Sequence, residues 1–128
     1  MKRILVVDDE FLVAELIVFA LEDRGYEVLQ AFNGKGALAQ MNKSPSLIIT
    51  DFMMPLMNGL EFALSVKADP DWRDIPIILV SAAQAAITPE NRDLFVASFE
   101  KPFDVQAVLK KVEELIGPPD SGAAGNRF

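Results

Sequence analysis

The chain reads as an α/β protein with a five-stranded parallel sheet and helices on both faces. Three observations predict this. Five short apolar runs alternate with helical segments, which is the pattern of repeated strand–crossover–strand units. The runs carry few polar residues, as expected of strands buried on both sides. Each run ends in a polar or charged residue followed by turn chemistry, and right-handed crossovers then fix the wrapping. The 128 residues make about one domain, and 51% hydrophobic content can fill a single core.

Taken in order, Lys2 to Val7 is the first strand and ends in three consecutive acids, Asp8, Asp9 and Glu10. Phe11 to Arg24 is an apolar-rich helix closed by Gly25. Helical spacing predicts Leu12, Leu16, Phe19 and Ala20 against the sheet. A patch near Phe11 and Ala14 is a candidate for docking a partner helix. Tyr26 to Phe32 alternates and is a strand toward a sheet edge. Asn33-Gly34 is a turn, and Lys35 to Asn42 a short helix. Gly34-Lys35-Gly36 lacks the downstream Gly-Lys-Ser/Thr of a phosphate loop and reads as a plain turn.

Ser44-Pro45 breaks the chain before Leu47-Ile48-Ile49-Thr50, which reads as a fully buried strand and ends in Asp51. Pro55 and Asn58-Gly59 form the loop into a third helix, 58–68, with Leu60, Phe62, Ala63 and Val66 inward. Trp72, in the polar loop that follows, reads as a half-exposed lid. Ile75 to Val80 is the fourth strand and ends in Ser81. Thr88 as a cap with Pro89 at the first helical position predicts a short fourth helix to about Val96. Ala97 to Glu100 is the fifth strand, ended by Lys101-Pro102-Phe103. A last amphipathic helix, 104–116, turns Val105, Val108, Leu109, Val112 and Leu115 inward and stops at Gly117. One domain over 1–117 and a flexible tail or linker remnant over 118–128 are therefore expected.

Charge and composition remove several functions. The net charge of -7 opposes nucleic-acid binding by this domain, because phosphate contacts need clustered Lys and Arg. With no histidine, the chain has no Ser-His-Asp triad, no histidine-ligated zinc and no phosphohistidine of its own. With no cysteine, it has no disulfide and no thiolate metal site, which fits a reducing cytoplasm. No apolar run is long enough to span a membrane, and no basic-then-apolar stretch reads as a leader, so export through a cleaved signal is not expected.

In a doubly wound sheet the carboxyl ends of the strands share one edge, where ligands bind. Asp8, Asp9, Asp51, Ser81 and Lys101 all fall there. Asp51 alone reads equally as a helix cap. The Asp8–Glu10 run reads either as acids favouring a helix start or as a divalent-cation site. Together the set is hard to explain by folding. Three gathered acids repel by several kcal/mol unless a cation or Lys101 neutralises them. Magnesium suits such hard oxygen ligands.

Asp8-Asp9 after strand one, Asp51-x-x-Met54-Pro55-x-x-x-Gly59, Ser81 after strand four and Lys101-Pro102-Phe103 after strand five make the chain resemble the receiver domain of two-component response regulators over residues 2–117. The resemblance implies the flavodoxin/CheY-like strand order 2-1-3-4-5 with five helices, the fourth short or irregular here. It implies that Asp51 is the phosphoacceptor for a histidine kinase or histidine phosphotransferase. Asp9 would ligate Mg²⁺ directly, Asp8 mainly through water, with Asp51 and the Met53 backbone carbonyl completing the set. Lys101 would pair with the phosphoryl oxygens, Ser81 would hydrogen-bond one of them, and the Lys101-Pro102 peptide would be cis. The chain would not be an enzyme beyond transfer to, and slow hydrolysis from, its own Asp51. It would act in the cytoplasm as a monomer or weak dimer, switching an output partner. The alternative is a receiver cut from a larger regulator with a C-terminal effector.

Other readings fit less well. An aspartate-nucleophile phosphohydrolase needs an acid where Met53 stands. A flavin binder would place the FMN phosphate against three acids. A degenerate receiver would lack a site member. Two departures concern the signalling face. Receivers usually carry Tyr or Phe where Ser98 stands, and Phe99 faces the other side by strand alternation. The segment from Ser81 to Lys101 is also short. Met53 and Ala83 are apolar and hold no attacking water, so slow self-dephosphorylation is expected.

Overall fold

The computed structural model describes residues 2–82 and 88–119. Five parallel strands form one sheet in the order β2-β1-β3-β4-β5. They are β1 (Arg3–Val7), β2 (Glu27–Ala31), β3 (Leu47–Asp51), β4 (Ile77–Ser81) and β5 (Ala97–Glu100). Among the described residues the α-helices are α1 (Phe11–Arg24), α2 (Gly34–Gln40), α3 (Gly59–Ala68) and α4 (Val105–Ile116). Among the described residues no helix is long and apolar enough to cross a membrane.

Strand alternation divides the core into two layers. Ile4, Val6, Leu47, Ile49, Ile78 and Val80 point to the side covered by α1 and α4. Leu5, Val7, Ile48 and Ile77 point to the side covered by α2 and α3, where Phe62 is fully buried. β3 and β4 are buried at every position, which explains why their sequences show no polar alternation. Each fully buried large apolar side chain contributes about 1.5–3 kcal/mol.

The helix ends follow their local chemistry. Asn58 and Glu61 form a reciprocal capping box at the start of α3, with bonds of 2.8 and 2.9 Å. Asn33 caps α2, and Asp104 caps α4. Gly25 closes α1 with φ +104°, a left-handed position that suits glycine. Helix α2 ends at Gln40, two residues before the expected Asn42, and continues as a 3-10 turn, Met41–Lys43. Trp72 is half-buried and packs on the α2/α3 layer, as the lid reading requires.

Two expectations are corrected. The buried face of α1 is Ala14, Ile17 and Leu21, whereas Leu12, Leu16 and Phe19 are exposed. Leu12 and Phe19 are 81% and 74% exposed. The helix is apolar nearly all round, so spacing alone does not choose a face, and the small Ala14 takes the close approach to the sheet. The exposed patch is therefore Phe11, Leu12, Leu16 and Phe19, without Ala14. The helix expected over 88–96 is, in the described residues, a turn at 89–91 and a 3-10 turn, Arg92–Leu94. Thr88 accepts a hydrogen bond from the Asn91 side chain at 3.0 Å, but Phe95 is already extended and only a few residues remain before β5. In α4, Val108, Leu109 and Val112 are buried as expected, while Leu115 stays exposed and Ile116 packs on the core instead. Most of the expected tail lies outside the described residues.

One packing contact bears on the site. A Cβ added to Gly34 would lie 2.6 Å from Met57 Cβ and from its carbonyl oxygen. The loop between β3 and α3 thus rests directly on the first turn of α2.

Candidate phosphoacceptor site

Strand register assembles the site. Val7 pairs with Thr50, so Asp8 and Asp51, one residue further on each strand, stand side by side. Asp51 pairs with Val80, and Ser81 pairs with Glu100. Lys101 then follows, its backbone N–H donating to the Ser81 carbonyl at 2.8 Å. The Lys101-Pro102 peptide is cis.

Asp8, Asp51 and Ser81 are buried, 2%, 5% and 3% exposed, which is unusual for such residues unless they are partnered. Carboxylate oxygens of Asp8, Asp9 and Asp51 lie within 4.8 Å of one another, with Asp9 exposed at the rim. Lys101 Nζ is 3.1 Å from Asp8 Oδ2 and 3.4 Å from Asp51 Oδ1. It is also 2.7 Å from Glu10 Oε1. Two backbone N–H groups hold the acids in place: Phe52 donates to Asp51 Oδ1 at 2.9 Å, and Glu10 donates to Asp8 Oδ1 at 2.8 Å.

The electrostatics follow from burial and like charge. Burial, and then the neighbouring Asp8, push the Asp51 carboxyl up to about 6; Lys101 and the Phe52 N–H oppose this. Burial raises Asp8 as well, against its hydrogen bonds from Glu10 N–H and Lys101. Burial works against the Lys101 ammonium, yet Glu10, Asp8 and Asp51 push it up to about 12. One cation faces four acids here, so the pocket retains a deficit of positive charge. Three hard oxygen donors around such a deficit fit a magnesium ion.

The loop after Asp51 is tight. Met57 N–H donates to the Pro55 carbonyl at 2.8 Å across Leu56, whose φ of +72° is left-handed. Gly59 N–H donates to the Phe52 carbonyl at 2.7 Å, and a Cβ on Gly59 would collide with the Asp51 carbonyl oxygen. Only glycine lets α3 start so close to the end of β3. Met53 is 69% exposed. Ala83 lies outside the described residues.

All five side chains expected at the sheet edge, Asp8, Asp9, Asp51, Ser81 and Lys101, are there. The sequence reading did not assign Glu10 to Lys101. Its place beside two acids was the available signal, but a contact between residues 10 and 101 depends on side-chain reach across the edge.

Comparison with known proteins agrees with this geometry. The response regulator receiver domain family matches residues 4–113. The chain is 38% identical over 128 residues to the phosphate regulon transcriptional regulatory protein PhoB of Pseudomonas aeruginosa, covering 95% of this chain and 56% of that protein. It is 34% identical over 121 residues to the response regulator receiver protein CpdR of Brucella abortus, covering 91% and 98%. The chain therefore spans about half the length of PhoB but nearly all of CpdR. Among solved structures, the response regulator TrrA from Thermotoga maritima in complex with Mg(2+)-BeF aligns with a TM-score of 0.81 and 34% identity, covering 91% of this chain and 100% of that one. Motif, register and relatives thus converge, and the chain belongs to the receiver-domain family of two-component response regulators.

Proposed function

We propose that Asp51 accepts a phosphoryl group from a phosphohistidine on a partner kinase or phosphotransferase, and that the product controls binding of an output partner. The observation that carries this reading is the buried Asp51 carboxylate, 3.4 Å from Lys101 and within one cluster with Asp8 and Asp9. A carboxylate oxygen of Asp51 attacks phosphorus, the N–P bond breaks, and the imidazole leaves with its electron pair. The product is an acyl phosphate. Such transfer needs an in-line nucleophile and charge neutralisation more than covalent help.

Asp9, Asp8, Asp51 and the Met53 backbone carbonyl would hold Mg²⁺, whose chemistry here is to neutralise and orient phosphoryl oxygens. Lys101 meets another of these oxygens. Ser81 hydrogen-bonds the third, and its movement is the switch. The exposed Met53 brings no group to position water, so hydrolysis of the acyl phosphate is slow. The chain is thus a substrate and self-catalyst, with no separate substrate of its own. The Phe11, Leu12, Leu16 and Phe19 surface on α1 is the place for the partner's helix. It adjoins a groove of about 360 Å³ lined by Glu10, Val13, Leu16, Lys101 and Phe103.

The test is incubation with Mg²⁺ and a small-molecule phosphodonor. The intact wild-type chain gains the mass of one phosphoryl group, and Asp51→Asn gains none. Equal labelling of Asp51→Asn, or none of wild type, overturns the reading. The length of PhoB favours a second reading, in which these residues are the receiver part of a longer regulator. The length of the native gene decides between them.

A further inference from the structure

The shortest contact of Lys101 is to an acid that the proposed transfer does not use. Glu10 Oε1 lies 2.7 Å from Nζ, nearer than Asp8 at 3.1 Å or Asp51 at 3.4 Å. Glu10 is the N-cap residue of α1, yet its side chain caps no helix N–H. It reaches instead across the sheet edge to the end of β5. Its side chain is 59% exposed while that of Lys101 is 10% exposed, so the pair joins a buried ammonium to a carboxylate at the rim.

We propose that Glu10 is a positioning residue that holds Lys101 in the resting site and competes with the incoming phosphoryl oxygens for its ammonium. This rests on the reading of Asp51 as phosphoacceptor. Asp8 is ill-suited to the task, because it is buried and belongs to the cluster suited to a metal. Glu10 can be displaced without stranding a buried charge, since its carboxylate returns to water. The resting ammonium is thereby kept near Asp51 but occupied, and it is surrendered when a better anion arrives. A half-exposed pair is weak, so the competition is worth about two- to fivefold in affinity for a phosphoryl analogue, not orders of magnitude.

The experiment measures beryllium fluoride binding to the full chain by calorimetry at saturating Mg²⁺. Wild type, Glu10→Gln and Glu10→Asp are compared. Glu10→Asp keeps the charge but shortens the reach by one methylene. Both variants bind the analogue about two- to fivefold more tightly than wild type if contact with Lys101 is what competes. Unchanged or weaker binding by Glu10→Gln overturns the inference. So does tighter binding by Glu10→Gln with wild-type binding by Glu10→Asp, which would assign the effect to charge alone. If wild type itself binds no analogue, the phosphoacceptor reading falls and takes this inference with it. Thermal melts of both variants confirm that the fold is intact.

Discussion

Asp51 is the residue in which burial and like charge meet. Its carboxyl is raised from 3.8 to about 6, first by desolvation and then by Asp8. For an acid, a raised folded pKa means that the native state binds the proton more tightly than the unfolded chain. The metal-free protein therefore loses stability through this group as pH rises from about 4 through 6, and the loss is complete above that. The shift corresponds to roughly 3 kcal/mol. Denaturant titrations of wild type and Asp51→Asn at pH 4 and pH 7 check this: the variant gains on wild type by roughly that amount at the higher pH. Saturating Mg²⁺ shrinks the difference, because a cation favours the ionised carboxylate. The identities of Asp8, Asp9, Asp51, Ser81 and Lys101 were legible because strand ends are fixed by sequence. The tie between Glu10 and Lys101 was not, since it is set by rotamers of two long side chains.

At the scale of the element, α1 shows where pattern reading stops. Its side chains are apolar on several faces, so periodicity offers more than one solution, and packing chose the one that puts Ala14 against the sheet. The energetic consequence is direct. Ile17→Ala and Leu21→Ala remove fully packed side chains and cost about 2–5 kcal/mol. Leu12→Ala and Phe19→Ala change stability by less than about 0.5 kcal/mol, because both side chains already meet water. Chemical denaturation of the four variants separates the faces. The segment before β5 teaches the complementary lesson. Thr88 and Pro89 carry good helix-starting chemistry, but a start signal specifies no length. With Phe95 extended, the described residues of this segment hold only the 3-10 turn Arg92–Leu94 after the turn at 89–91.

For the whole molecule, five apolar runs and their turns were enough to give the class and the edge where the acids gather, while the strand order came from the family resemblance and is the one observed. Side-chain alternation also foretold which way β5 faces. Phe99 packs on the α1/α4 layer, and Ser98 is exposed on the opposite side. No aromatic ring stands at position 98, so, on the proposed reading of Asp51 and Ser81, the output is expected to run by another route. Amide exchange with and without beryllium fluoride and Mg²⁺ tests this. Protection increases at Ser81 and Lys101 and stays unchanged at Phe99. A change at Phe99 as large as that at Ser81 would refute it.

The contact between Gly34 and Met57 extends the reach of the candidate site beyond the residues gathered at the sheet edge. The loop that follows Asp51 has a back wall, and that wall belongs to a helix that supplies none of the five side chains at the edge. Bulk introduced at Gly34 would press on Met57 and shift the loop that carries Met53. The second helix thus props, by shape alone, the loop that leaves the sheet after Asp51.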